Sequence, residues 1–302
     1  MNKIVCSIIV TYNIGEDLLR CFDSIKNQTE EVIIVDNGSD SETISVLKTL
    51  EQGNDDVAVF YNEDNLGIGA ALNIGVRYAI KKGYEWILTL DHDSEATPDL
   101  VENLLAAYKT LIEQGIEKIA VIGANLFDTN IQSYMTSQRL FSDGDIKEVR
   151  GVLTSGSLIK SCVFEEVGFF NEGLFLYFVD DDFCLRCKNN GWSIYVYRSA
   201  VLYHREGIKE VRKFLWREFI YRNYNFYARY YMSRNAIYML KSYFRSGKYY
   251  NCCKIFERLC SQALKIALFG KKRTTLFYFM LKGIYDGIVG KFGGLAIDNK
   301  KG

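Results

Sequence analysis

The sequence predicts an α/β fold: a mostly parallel sheet flanked by helices, followed by a basic, aromatic-rich helical C-terminal region. Three observations lead there. Short β-branched runs alternate with helical periodicity over the first half of the chain, the pattern of parallel strands joined by right-handed crossovers. The segments just after those runs are polar and glycine-rich, at the edge where open α/β sheets bind ligands. From about Val211 the texture changes, and Arg, Lys, Tyr, Phe and Trp interleave at helical spacing.

The elements follow in order. Val5–Val10 is a continuous β-branched run, suited to a strand buried on both faces. Within Asp17–Lys26, Leu18, Leu19, Phe22 and Ile25 share one helical stripe. Val32–Val35 predicts a second strand, and Ser41–Leu50 a second helix capped by Ser41 or Asp40. Val57–Tyr61 reads as a strand, Ala70–Lys82 as a helix and Trp86–Leu90 as a fourth strand. Thr97-Pro98 predicts the start of another helix, with Thr97 as cap and Pro98, the single proline, in the first turn. Lys118–Ile122 predicts a fifth strand. Residues 151–204 continue as mixed α and β, with Leu153–Ile159 strand-like, Asp181–Asn190 helical and Ser193–Tyr197 a strand. Helical patterning then runs from about Val211 to Arg245 and resumes near Lys254–Leu268 and Thr275–Val289. The chain divides into residues 1–210 and residues 211–302.

Composition narrows the function classes. A chain of 302 residues with 48% hydrophobic and 25% charged content buries a sizeable core. That excludes a disordered protein and a small disulfide-stapled scaffold. The formal net charge of zero conceals a split. Residues 1–204 carry 16 basic and 31 acidic side chains, whereas residues 205–302 carry 21 basic and 6 acidic. The acidic part could hold a cation, and the basic part could face an anionic surface. The stretch MNKIVCSIIVTYN reads as a strand rather than an export signal, so free thiols are expected. Cys184-x-x-Cys187 lacks a matching second pair, which argues against tetrahedral zinc. No uncharged apolar stretch of about 18 residues occurs, so no spanning helix is predicted.

Asp91-His92-Asp93 carries the sharpest chemical signal. An apolar strand delivers two carboxylates, one residue apart, to the ligand-binding edge. Neighbouring carboxylates repel unless a cation or proton lies between them. A hard divalent cation such as Mg²⁺ answers that need and leaves room for phosphate oxygens; a solvated turn is the plainer reading. Asp36 follows Val-Ile-Ile-Val and precedes Asn-Gly. It is either a turn residue or a carboxylate accepting a base imino hydrogen, with Gly38 permitting close approach. Asn65-Leu66-Gly67-Ile68-Gly69 leads into a helix and either simply turns or presents backbone N–H groups to phosphate. Asp180-Asp181-Asp182 opens a helix. Acids suit a helix N-terminus, but three in a row exceed what capping needs, and burial would tune one of them towards general-base work. His204, one of two histidines, is either structural or completes a metal shell of two carboxylates and an imidazole.

In combination these residues resemble the inverting family-2 glycosyltransferases. The resemblance is carried by Thr11-Tyr12-Asn13, Val35-Asp36-Asn37-Gly38-Ser39, Asn65-Leu66-Gly67, Asp91-x-Asp93, Asp180-x-Asp182-x-x-x-Arg186 and His204-x-x-Gly207, in that order. Within that superfamily Leu90–Ser94, Ser155–Ile159 and Asn65–Ile68 followed by Asn73-Ile74-Gly75 look like the bacterial rhamnosyltransferase branch. The chain departs from that branch at His92, Tyr177, Asp182 and Phe183. The resemblance implies a glycosyltransferase A fold. It implies that Thr11, Tyr12, Asn13 and Asp36, with Asn65, Gly67, Asn73, Asp91 and His92, bind a nucleotide-sugar. It implies Mg²⁺ or Mn²⁺ on Asp91, Asp93 and His204, and Asp180 as the base that takes the acceptor's proton. Asp182 and Arg186 would support and orient the acceptor side. The donor implied is dTDP-rhamnose, with a UDP-hexose or UDP-galactofuranose as alternative, and the acceptor a glycan or lipid-linked glycan of cell-surface polysaccharide synthesis. The corresponding location is cytoplasmic, peripheral on the inner face of the membrane.

The tail, residues 212–245, admits three readings: an interfacial surface on anionic lipid, helices packed on the catalytic part or in a homo-oligomer, and a stacking surface for single-stranded nucleic acid. The resemblance favours the membrane surface, and no nucleic-acid partner is expected. A non-enzymatic membrane-docking module would not need the intact acids. A nucleotidyltransferase would want a glycine-rich basic loop that Ile8–Gly15 lacks.

Overall fold

The computed structural model describes residues 4–205, 209–214, 217–222 and 224–295, and side chains outside 206–223. Its first half builds β1 (Val5–Thr11), α1 (Leu18–Ile25), β2 (Glu31–Asp36), α2 (Ser41–Gly53), β3 (Val57–Tyr61), α3 (Ile68–Lys82) and β4 (Trp86–Asp91), then the short β5 (Glu95–Ala96) and α4 (Leu100–Glu113). Next come β6 (Ile119–Asp128), β7 (Ser133–Tyr134), β8 (Ile146–Glu148), β9 (Ser157–Lys160), α5 (Val163–Val167), α6 (Val179–Asn189) and β10 (Ser193–His204). The chain continues through β11 (Lys209–Phe214), β12 (Arg217–Arg222), α7 (Phe226–Arg245), α8 (Tyr249–Phe269) and α9 (Arg273–Val289).

The main sheet runs in the order β3-β2-β1-β4-β9-β6-β10-β5. Strands β1 to β4 are parallel. β9 lies antiparallel between β4 and β6, and β10 runs parallel to β6. Side chains of β1 alternate between two cores. Val5 and Ile9 join α1, α2 and α4 on one face, while Cys6, Ile8 and Val10 join α3, α5 and α6 on the other. Covering both faces is what the unbroken apolar runs require. The predicted α/β sheet is therefore observed. Asp40 caps α2, its Oδ1 accepting from Thr43 N at 3.0 Å.

Two expectations are corrected. The helix after Pro98 begins at Leu100, and Thr97 Oγ1 donates to Val201 O at 2.9 Å instead of capping it. Thr97 thereby ties the start of α4 to β10. The segment from Val211 is not helical throughout. Its first part is the antiparallel hairpin β11–β12, and helix starts only at Phe226, where Asn225 Oδ1 accepts from Ala228 N at 2.8 Å. Aromatic and β-branched residues among basic ones satisfy strand preference as readily as a helical stripe. The motif residue Gly207 lies outside the described residues.

No helix among the described residues is long and apolar enough to cross a membrane. The three C-terminal helices pack on one another and on the preceding α/β part. Leu185 of α6 joins Ala236, Met239 and Ile255 in one cluster, and Phe175 and Tyr177 join Tyr230 and Tyr231 in another. On α9, a Cβ at Gly283 would stand 2.3 Å from Tyr230 O and one at Gly287 2.6 Å from Arg234 O. Both glycines let α9 approach the backbone of α7.

Candidate active site

Asp91 ends β4 and His204 ends β10. A register shift between Tyr197 and Val201 lets β10 continue beside β6 as far as His204. One ligand atom each from Asp91, Asp93 and His204 lies within 4.8 Å of the other two. Ser155 Oγ accepts from Asp91 N at 3.0 Å and lies 2.8 Å from Ser94 Oγ, which in turn lies 3.1 Å from His204 Nδ1. This chain of hydroxyls links the backbone of Asp91 to the His204 ring, and His204 Nδ1 lies 3.7 Å from Asp93 Oδ1. Burial pushes the Asp91 carboxyl upward, His204 opposes the shift and Asp93 adds to it. Two carboxylates and an imidazole at this spacing fit a divalent cation with bonds of about 2.1 Å, and the repulsion between the acids supplies the reason for one.

A second polar group lies at the ends of β1 and β2. Thr11 Oγ1 and Asp36 Oδ1 are buried without a hydrogen-bond partner among the described residues, and so is His92 Nδ1. Asp36 Oδ2 accepts from the N–H groups of Gly38 and Ser39 at 3.2 and 3.1 Å, which aims the bare Oδ1. Asn37 Nδ2 donates to Asn65 Oδ1 at 3.0 Å, and Leu66 N donates to Asn37 Oδ1 at 3.0 Å, joining the loops after β2 and β3. Gly67 has φ +86° and faces Phe175 O at 2.7 Å from where a Cβ would stand.

Asp180 lies in the first turn of α6, with Oδ1 accepting from Asp181 N at 2.9 Å. Burial, reinforced by the charges of Asp181 and Asp91, pushes its carboxyl up to about 7. The loop feeding this helix is strained, because Phe175, Tyr177 and Phe178 take φ of 62°, 66° and 63°. Such conformations cost about 1–3 kcal/mol each and persist only where neighbours hold them. Here α7 holds them. Asn235 Nδ2 donates to Leu174 O, Leu176 O and Tyr177 O at 2.8, 2.7 and 2.9 Å. Arg234 Nη2 donates to Leu174 O and Gly173 O at 2.7 and 3.1 Å. Both side chains are fully buried. The sequence reading missed Arg234 and Asn235. The signal was an Arg-Asn pair within an otherwise amphipathic helix, whose partners lie some sixty residues earlier in the chain.

Replacing Asn235 by Ala strips Leu176 O and Tyr177 O of this donor. The expected result is a kcat lowered by about a hundredfold, with donor KM changed less than twofold. The two constants measured side by side check it, since general destabilisation would not split them.

The predicted residues divide into two groups. Thr11, Tyr12, Asn65, Gly67, Asp91, His92, Asp93, Asp180 and His204 line one cavity of about 2100 Å³. Asn37, absent from the predicted set, lines it too. Asn13, Asp36, Asn73, Asp182 and Arg186 do not line it. Asn13 Oδ1 accepts from Asp40 N at 2.8 Å, which shapes the loop after β1. Asn73 is spent on the loop after α5: it donates to Phe170 O at 2.9 Å and Glu172 Oε1 at 2.8 Å and accepts from Phe170 N at 3.0 Å. Asp182 is also satisfied, by Arg186 Nε at 2.9 Å and Tyr238 Oη at 2.8 Å. Arg186 donates to the carbonyls of Val167, Gly168 and Phe169. These two brace α6 from behind and do not face the cavity.

Solved structures share this architecture. GalNAc-T7 with UDP, GalNAc and Mn²⁺ superposes with a TM-score of 0.56 at 18% identity, over 68% of this chain and 44% of that one. TarS 1–349 of S. aureus gives 0.55 at 14% identity, over 95% of this chain and 72% of that one. The fold is the glycosyltransferase A type. Residues 6–116 match the family Glycosyl transferase family 2. Among relatives, the dTDP-rhamnosyl transferase RfbF of Shigella flexneri is 27% identical over 224 residues, 70% of this chain and 72% of RfbF. The low-salt glycan biosynthesis hexosyltransferase Agl10 of Haloferax volcanii is 25% identical over 217 residues, 68% of either chain.

Proposed function

We propose that this chain is an inverting, metal-dependent glycosyltransferase that moves L-rhamnose from dTDP-rhamnose onto a glycan or lipid-linked acceptor of cell-surface polysaccharide synthesis. The observation that carries the reading is that Asp180 and the Asp91–Asp93–His204 cluster face one cavity at the carboxyl edge of the sheet. Thr11, Tyr12 and Asn65 border the nucleoside end, with the bare Oδ1 of Asp36 behind them as acceptor for a base imino hydrogen. Asp91, Asp93 and His204 are the residues that would hold Mg²⁺ or Mn²⁺. That ion supplies Lewis-acid charge to the departing diphosphate.

Asp180 takes the proton of an acceptor hydroxyl. The oxygen so freed forms its bond to the anomeric carbon as the bond from that carbon to the diphosphate oxygen breaks on the opposite face. The electron pair leaves with the nucleoside diphosphate, and one displacement inverts the centre. His92, between the two acids, borders the diphosphate. Residues 1–210 hold these groups, while residues 211–302 brace the base through α7.

The rhamnosyl donor is supported by the resemblance to RfbF. A panel of sugar nucleotides, read by nucleotide release with a glycan acceptor, tests it. Turnover confined to dTDP-rhamnose is expected; turnover of a UDP-sugar with none of dTDP-rhamnose overturns the donor.

The proposed location is the cytoplasmic face of the membrane. It is supported by α9, where Tyr278, Leu281, Tyr285, Ile288 and Val289 form an exposed stripe beside the exposed Lys271, Lys272 and Arg273. Co-sedimentation with phosphatidylglycerol vesicles and none with phosphatidylcholine is the expected result. Absence of both leaves the stripe to a homo-oligomer.

A further inference from the structure

The cavity that holds Asp180 has a second wall. Asn251, Lys254, Arg258, Ser261 and Lys265 of α8 line it. Their spacings of three, four, three and four residues place them on one helical face. Glu257 engages Lys254 at 2.8 Å. Arg258 lies near enough to Asp181 to oppose the upward push that burial gives that carboxyl. Among the described residues Arg258, which is exposed, makes no ion pair, and neither does half-buried Lys265, which is left partly desolvated. A partly desolvated cation without a counter-ion is unfavourable. Between them, Gln262 Oε1 is buried beside the cavity without a donor. A half-buried lysine without an ion pair, an exposed arginine two turns away on the same face and a carbonyl without a donor describe a surface suited to a ligand that brings an anion and a hydrogen-bond donor.

Arg258 and Lys265 are seven residues apart, about 10 Å along the helix. A diphosphate, with two anionic groups, can engage both side chains at once. We propose that this face of α8 is a subsite for a diphosphate carried by the acceptor, held by Arg258 and Lys265, with Gln262 Oε1 accepting from a sugar hydroxyl. The proposal rests on the glycosyl-transfer reading for its occupant, and it places the acceptor's anionic end on the α8 wall of the cavity that holds the base.

The test is calorimetric titration of the full chain with inorganic pyrophosphate in EDTA, which removes any metal-dependent binding at Asp91 and Asp93. Saturable binding is expected, weakened at least about tenfold in Arg258→Ala/Lys265→Ala and unchanged in Lys271→Ala/Lys272→Ala, whose lysines lie outside the cavity. Added dTDP is expected not to displace the pyrophosphate. A short prenyl diphosphate binding more tightly than pyrophosphate supports the site with a lipid-borne group; equal binding supports it with a glycan-borne one. No binding, equal loss in both double variants, or displacement by dTDP overturns the subsite. Failure of dTDP to bind with Mn²⁺ while pyrophosphate still binds would instead overturn the proposed function and leave the subsite standing.

Discussion

Asp180→Asn is expected to lower transfer about a thousandfold and, at the same time, to raise the melting temperature at pH 8 by about 2 °C or more. Both effects have one cause. Burial, with Asp181 and Asp91 nearby, pushes the Asp180 carboxyl up to about 7. The folded chain therefore holds this proton more tightly than the unfolded chain does. Above the folded value the ionised group costs stability, and the cost fades as pH falls towards the ordinary carboxylate range. Asparagine keeps the shape, removes the charge and removes the base. The stability gain should thus shrink between pH 8 and pH 4, as thermal melts at several pH values would show. Activity of the unaltered chain runs the other way. A base must be unprotonated to accept the acceptor's proton, so kcat should rise with pH and level off above about 7. A variant that turned over at the original rate would remove Asp180 from the reaction.

Much of the fold could be read from the sequence because its strands are buried on both faces. Val5–Val10 and Val32–Val35 admit few readings, and their ends locate the ligand edge without knowledge of the pairing. The Asp91-x-Asp93 pair and Asp180 were found from residue type and position after apolar segments, and the structure brings them to one cavity. Asn73 and Arg186 show the limit. Their residue types suit a site, yet Asn73 is bonded to Phe170 and Glu172, and Arg186 to Asp182 and the carbonyls of Val167, Gly168 and Phe169. Which polar group meets ligand and which meets backbone depends on tertiary contacts that no local pattern encodes. The same holds for Arg234 and Asn235, which act on a loop far earlier in the chain. Strands β11 and β12 are hidden in the sequence because mixed basic and aromatic residues fit periods of two and of 3.6 alike.

The second large effect concerns the cluster at the end of β4. Asp91 and His204 end two strands and Asp93 lies in the turn after the first, with Ser94 and Ser155 bonded to His204 and Asp91. The charge of Asp93 adds to the cost of ionising Asp91 unless a cation is shared. Removing one acid therefore removes a ligand and also the repulsion that calls for the ion. Even residues behind a metal's ligands commonly change its affinity by about 10- to 100-fold, so loss of a ligand should do no less. The decisive measurement is Mn²⁺ binding to the full chain with dTDP present, followed by the electron paramagnetic resonance of free Mn²⁺, in the unaltered chain, Asp91→Asn and Asp93→Asn. One bound Mn²⁺ is expected, with affinity lowered more than about tenfold in either variant and turnover abolished by chelator. Equal Mn²⁺ binding by all three chains, or full turnover in excess chelator, would contradict it.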